Sequence, residues 1–221
     1  MYIYAFSNFS SVVIDKISDK KPLLSTKFNR TDNFINLVLL GVQNCVKDIS
    51  LDKDTSIYIA SKNGNLNTTL KVMDSILLKH KLPMPFNFLN SVNAAILFFV
   101  AKCFGIEGKT LFVDRFDSAF PQAVVDLKQG KTVLLGVVEE VMDDLEFYRS
   151  RFGDKLEESS RWLLISPKLY GIKPIAKVYD LDINSKFKAD DSIDNLFNFF
   201  ENKKKVFDFQ GNNLFFRVEK I

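Results

Sequence analysis

The chain has 221 residues, of which 47% are hydrophobic, and 30 Lys and Arg against 27 Asp and Glu give it a formal charge of +3. That size and apolar content allow one domain, or one domain with an appendage, to bury a real core, so disorder is not expected. The two signs of charge are interspersed rather than gathered in a basic stripe, which argues against nucleic acid or an anionic membrane as partner.

In chain order, MYIYAFSNFSS alternates in a way that predicts a strand over Tyr2 to Ser7, edge or central. It lacks the basic start and apolar run of a signal peptide. A connecting segment with Asp19, Lys20, Lys21 and Pro22 runs through Lys27. From Thr31 the period changes: Phe34, Ile35, Val38, Leu39, Val42, Cys45 and Val46 recur at helical spacing, with Thr31 or Asp32 as N-cap. SIYIA, Ser56 to Ala60, is a short buried strand, and Lys62 to Asn65 is its exit turn. Leu66 to His80 reads as an amphipathic helix with Leu70, Met73, Ile76 and Leu77 on one side.

Two prolines, Pro83 and Pro85, then separate it from Phe86 to Phe104, a helix apolar on nearly every face and so expected at the centre of the fold. Its longest apolar run, Ala94 to Ala101, is too short to span a bilayer. Thr110 to Val113 is a strand, Ser118 to Gln129 a helix with Pro121 in its first turn, and Thr132 to Val138 a strand apolar on both faces. Strands alternating with helices predict an α/β protein with a mixed, mainly parallel sheet covered on both faces. Val141 to Ser160 is charged and suits a helical surface excursion. Trp162 to Ile165 and Ile175 to Ile183 are two more strands, expected to be antiparallel neighbours. Ser192 to Asn202 is a helix bearing Ile193, Leu196, Phe197 and Phe200, and VFDF and LFFRV form a hairpin about Gly211, Asn212 and Asn213.

An α/β enzyme mounts its nucleophile at a turn like that after Val113, because the next helix's free amides and dipole stabilise negative charge there. Here the turn is Asp114, Arg115, Phe116, Asp117, Ser118, with no cysteine and no glycine to close around a substrate oxygen. The scaffold for chemistry is present without the chemistry. Asp117 and Ser118 have a simpler role as helix N-cap; a carboxylate sealing a dead site is the functional alternative. The two cysteines, Cys45 and Cys103, lie in apolar helices far apart, which fits reduced, buried thiols and a cytoplasmic compartment rather than a disulfide framework. The single histidine, His80, closes a helix, where its cation suits the dipole. Asn93, polar within an apolar helix, must find a hydrogen-bond partner if buried. Asp143, Asp144 and Glu146 read as a solvated face rather than a metal cluster, and no metal or cofactor is called for. Lys203, Lys204 and Lys205 form a small basic run, solvated by default, that would suit an acidic carrier protein.

In order along the chain, RTDNFINLVLLGV, SIYIASKNGNL, SVNAAILFFVAKCFGIEG, the turn region through VVDLKQG, VLLGVVEEV, LEESSRWLLISPK and GIKPIAKVYDLDI resemble the N-terminal half of a β-ketoacyl synthase, the thiolase-like fold. The resemblance covers roughly residues 1–184 and implies a thiolase-like half-fold there, with residues 185–221 a small C-terminal α+β extension packed on the same domain. It implies a cysteine at the turn and histidines, or a histidine and an asparagine, in a second half. Counting from Gly108 without gaps puts Asp117 at the cysteine position, with slippage toward Asp114 left open. His80 is in the wrong place, and the chain ends where the second half would begin. The turn Asp117, Ser118, Ala119, Phe120 is similar to that of the short chain-length-factor-type proteins of aryl-polyene and pigment clusters. That family implies a non-catalytic subunit paired with a complete ketosynthase, reached by acyl carrier protein through the complex, with Thr110, Leu111, Phe112 and Val113 at the partner interface. Cover for the helix over Phe86 to Phe104 would then come partly from the other chain. The alternative is a stand-alone acyltransferase or thioesterase using Ser118 or Cys103.

Overall fold

The computed structural model describes residues 1–10, 31–47, 49–142, 146, 150, 158–168, 171–185 and 193–221. The connecting segment with Asp19 to Pro22, most of the charged excursion after Val141, and Asp143 and Asp144 lie outside them.

Strand β1 (Tyr2–Ser10) precedes α1 (Asn33–Cys45), whose start is set by Asp32: its Oδ1 accepts from the Ile35 amide at 3.0 Å. β2 (Ser56–Ala60) is buried throughout, and α2 (Leu66–Leu77) is capped by the Asn65 side chain. α3 (Pro85–Asn90) carries its proline at N1, where the missing amide costs nothing. α4 (Ala95–Phe104) stops at Gly105, whose φ of 68° is the left-handed C-terminal geometry that glycine takes without strain. There follow β3 (Thr110–Val113), α5 (Phe116–Lys128), β4 (Val133–Glu139), β5 (Ser159–Ser166), β6 (Ala176–Asp182), α6 (Ile193–Glu201), β7 (Val206–Gly211) and β8 (Leu214–Lys220).

All eight strands form one mixed sheet in the order β3-β2-β4-β5-β1-β6-β8-β7. The α/β reading holds, but the expectation of a mainly parallel sheet does not. Among the described residues only β2 with β3 and β2 with β4 run parallel, and every other pair is antiparallel. A parallel pair needs a crossover connection: α2 to α4 carry the chain from β2 to β3, and α5 carries it back past β2 to β4. β5 and β6 are likewise not neighbours: β1 pairs antiparallel with both and lies between them.

The central strands alternate their side chains between two apolar layers. Ile57, Ile59, Leu134, Trp162 and Leu164 join α1 and α4 on one face, and Tyr58, Leu135, Leu163 and Ile165 join α5 and α6 on the other. On the first face the helix lies unusually close. A Cβ at Gly41 of α1 would stand 2.1 Å from Ser160 Oγ, and one at Gly136 of β4 would stand 2.6 Å from the Trp162 ring.

On the second face α5 packs against β2, β3 and β4, yet its Phe120 stacks on Phe216 of β8 with ring centroids 4.5 Å apart. In a flat sheet β2 and β8 would be roughly 24 Å apart at about 4.8 Å per strand, beyond the reach of one helix. The sheet therefore coils about α5, bringing the C-terminal hairpin against it.

One sequence expectation fails at the surface, and one apolar stripe is left uncovered there. Phe86 to Phe104 is not one central helix but two, broken at residues 91–94. Ile96, Leu97, Phe99 and Val100 face the core while Phe86, Phe88, Leu89 and Phe98 are exposed. In α2 the buried residues are Asn67, Thr68 and Val72, whereas Met73, Ile76 and Leu77 of the apolar stripe point outward.

Candidate functional site

The turn after β3 is built from the start of α5. Arg115 occupies the N-cap position in extended geometry and makes no side-chain cap, so the helix begins two residues before Ser118. The expected N-cap role of Asp117 and Ser118 is therefore incorrect: both sit inside the first turn. Pro121 falls in the second turn, where it removes the amide that would bond the Asp117 carbonyl.

The Asp117 carboxylate is committed elsewhere. Its Oδ2 accepts from Arg115 Nη2 at 3.1 Å and from the backbone amide of Asn212, in the β7–β8 turn, at 3.1 Å. A Cβ at Gly211 would stand 2.6 Å from Asp117 Oδ1, so the hairpin approaches this closely because residue 211 has no side chain. The side chain is 14% exposed against 45% for Arg115, which marks the Asp117 side as the inner end of the pair. Beneath it Phe116 is buried, 5.5 Å from Phe209 and 5.4 Å from Phe120, with Phe216 closing the cluster. The C-terminal hairpin fills the space behind the turn. Asp114 is exposed, and Ser118 Oγ donates to Asp114 Oδ1 only at 3.5 Å.

Cys103 is half-buried rather than fully buried and packs with the α1 and α4 layer, on the opposite face of the sheet from Ser118. Cys45 is enclosed, and burial pushes its thiol well above the ordinary range. His80, with φ 49°, turns the chain after α2 and lines a groove of about 690 Å³ with Ile76, Leu82, Pro85 and Phe88. These three groups form no common site. Among the described residues, no group of His, Cys, Asp and Glu has the arrangement of a metal centre. No helix among them is long and apolar enough to cross a membrane.

Asn93 lies in the break between α3 and α4 rather than within a helix and is half-buried, and its Oδ1 accepts from the Asn65 amide at 2.9 Å, tying that turn to the β2 exit loop. The same region holds a polar cluster that sequence reasoning passed over. Asp32 Oδ2 accepts from Asn65 Nδ2 and from Thr68 Oγ1. Glu139 accepts from the Lys62 amide at 2.7 Å and from Ser61 Oγ at 3.2 Å, and burial raises its pKa. Beside it Glu140 is buried, its Oε1 accepting from Asn33 Nδ2 at 3.0 Å. Burial, with Asp32 and Glu158 nearby, pushes its pKa up to about 7. The signal was the pair of adjacent glutamates ending an otherwise apolar strand.

Among the described residues the strand β3, whose Thr110, Leu111, Phe112 and Val113 the resemblance places at a partner interface, is an edge of the sheet, paired on one side only, with β2. Thr110 is exposed and the other three are partly so.

No family model and no curated protein matches this sequence. Solved structures do match in fold. A chain of the ketosynthase ApeO in complex with its chain length factor ApeC, from Xenorhabdus doucetiae, superposes with a TM-score of 0.64. Its identity is 13%, over 99% of both chains. The ishigamide ketosynthase/chain length factor gives 0.66 at 14% identity, over 82% of this chain and 66% of that one. An oxazolomycin ketosynthase domain from Streptomyces albus gives 0.50 at 14%, over 72% and 33%. Over these spans the chain therefore shares the mixed α/β fold of these solved structures.

Proposed function

We propose that this chain is a non-catalytic, chain-length-factor-type subunit that pairs with a complete β-ketoacyl synthase in fatty-acid or polyketide-type biosynthesis, of the aryl-polyene or pigment kind. It would help shape the tunnel for the growing acyl chain. Residues 185–221 would act as an extension of the domain formed by residues 1–184. The observation that carries the reading is the state of the turn: Asp117 stands where the resemblance puts a cysteine, and its carboxylate holds the chain's own hairpin. Claisen chemistry needs a thiolate and polar groups that hold an oxyanion, and the Phe116, Phe120, Phe209 and Phe216 cluster occupies the space behind this turn instead. The match over 99% of both chains to one chain of a ketosynthase–chain length factor complex supports the same reading.

Pairing would use the β3 edge, Thr110 to Val113, which is otherwise an open row of amides and carbonyls beside Leu111 and Phe112. A permanent complex of this kind buries more than about 2,000 Å² in total. Co-expression with the ketosynthase encoded beside it, followed by gel filtration, is expected to give a heterodimer. Leu111→Lys should abolish it and the exposed Glu146→Lys should not. Acyl-CoA or an acyl carrier protein should leave no covalent mass on the isolated chain. A stoichiometric acyl adduct on Ser118 or Cys103 would establish the acyltransferase or thioesterase alternative.

A further inference from the structure

Four acids gather at the end of the sheet where β2 and β4 finish: Asp32 at the start of α1, Glu139 at the end of β4, Glu140 just beyond it, and Glu158 before β5. One amide group stands among them. Asn33 Nδ2 donates to Glu140 Oε1 and to Glu158 Oε1, each at 3.0 Å, so it joins the first turn of α1 to the end of β4 and to the entry to β5. Glu140 is only 5% exposed, and ionising a carboxyl in such a place is costly. The charges that face it from the packed elements, Asp32 from α1 and Glu158 from the entry to β5, are themselves acids. α2 offers it the neutral Asn67 side chain, while its neighbour Glu139 is held by the β2 exit loop, through the Lys62 amide, Ser61 Oγ and the Lys62 charge.

A continuous run of hydrogen bonds leads away from this cluster. Asp32 Oδ1 caps α1, and its Oδ2 accepts from Thr68 Oγ1 of α2 at 2.8 Å and from Asn65 Nδ2. Asn65 Nδ2 also donates to the Asn90 carbonyl at 2.9 Å, its amide donates to Asn93 Oδ1, and Thr69 Oγ1 donates to the Ser91 carbonyl at 3.3 Å. The run therefore ends at the break between α3 and α4. Asn65 and Asn90 are buried, so bonds lost here are not replaced by water unless the structure opens. A Cβ on Gly64 would stand 2.4 Å from Asn93 Nδ2, which leaves no slack between the exit loop and that break.

We propose that this end of the fold is a proton-operated clasp: with Glu140 neutral the network closes on α1 and holds the α3–α4 break, and loss of that proton sets Asp32, Glu140 and Glu158 against one another and opens it. The device belongs to the chain itself and needs no partner. It acts across neutral pH, because burial above all, with Asp32 and Glu158 adding to it, raises the Glu140 pKa from 4.5 to about 7. The neutral form is the one that stabilises, so the clasp is closed at low pH and loosens as pH rises through 7. The C-terminal hairpin takes no part in these hydrogen bonds and should not respond, which makes the opening local.

Hydrogen exchange of the full chain at pH 5 and at pH 8, corrected for intrinsic exchange, tests this. Openings that free Glu140 should become roughly 70-fold more populated over that interval, as follows for a carboxyl that titrates at 4.5 when open and at about 7 when closed. The amides of Ile35, Lys62 and Asn65, and of Val92, Ala95 and Ile96 at the break, should lose protection together, while those of the β7–β8 hairpin keep theirs. Glu140→Gln, which mimics the neutral carboxyl, should keep the pH 5 pattern at pH 8, and Glu139→Gln should respond as wild type does. Equal protection at the two pH values in the wild-type chain would overturn the proposal whatever the variants do. A response that survives in Glu140→Gln would also overturn it, as would one abolished by Glu139→Gln, which would give the titration to the neighbouring acid. Loss of protection confined to α1 and the exit loop, with Val92, Ala95 and Ile96 unchanged, would overturn the link to the α3–α4 break.

Discussion

Replacing Asp117 separates a structural carboxylate from a functional one. The Asn212 amide donates to it from an exposed turn, so losing that charge-assisted bond costs about 1.5 kcal/mol, the low end of its class. The half-exposed Arg115 pair adds less than about 1 kcal/mol, and an acid in the first turn of a helix adds about 0.5 kcal/mol. Asp117→Ala should therefore destabilise the chain by about 2 to 3 kcal/mol. Asp117→Asn keeps an acceptor oxygen and should cost about 1 kcal/mol. Urea unfolding resolves these losses, because 2 kcal/mol shifts the midpoint by about 1 M at a slope of about 2 kcal/mol/M. Turnover of the assembled complex should stay within about twofold for Asp117→Ala and Asp117→Cys, since neither changes a group expected to touch substrate. Turnover abolished in Asp117→Ala, with fold and complex intact, would refute the assignment and make the carboxylate part of the chemistry.

Two further outcomes concern the core. Gly41→Ala should cost about 1 to 3 kcal/mol and lower the thermal midpoint, because a Cβ there would lie 2.1 Å from Ser160 Oγ and 2.5 Å from the Trp162 ring, so the buried Trp162 would have to shift. A loss below about 1 kcal/mol would show that α1 moves freely on the sheet. Glu140, whose folded pKa is raised from 4.5 to about 7, contributes stability that is complete below pH 4.5 and is lost as pH rises through 7. The loss amounts to about 3 kcal/mol by pH 8, so Glu140→Gln should flatten the stability profile between pH 5 and about 8, and parallel profiles would count against it.

What the sequence disclosed was local. β2 and β3 lie where short apolar runs bounded by polar and turn residues placed them, and Asn212 and Asn213 mark the hairpin because Asn tolerates the left-handed φ of 59° that Asn213 adopts. Contacts distant along the chain were hidden. β1 lies between β5 and β6, and Asp117 finds its amide 95 residues away, with nothing in either segment naming the other. The stripe of Leu70, Met73, Ile76 and Leu77 was legible as a stripe, but helical spacing states only that a face needs cover. It is silent on which chain supplies it. The two sides of this fold answer that question differently: around α5 the cover is Phe209 and Phe216 of the same chain, while along α2 to α4 the apolar side chains remain exposed. Both sides rest on complete buried layers, so what distinguishes them is the outer cover alone.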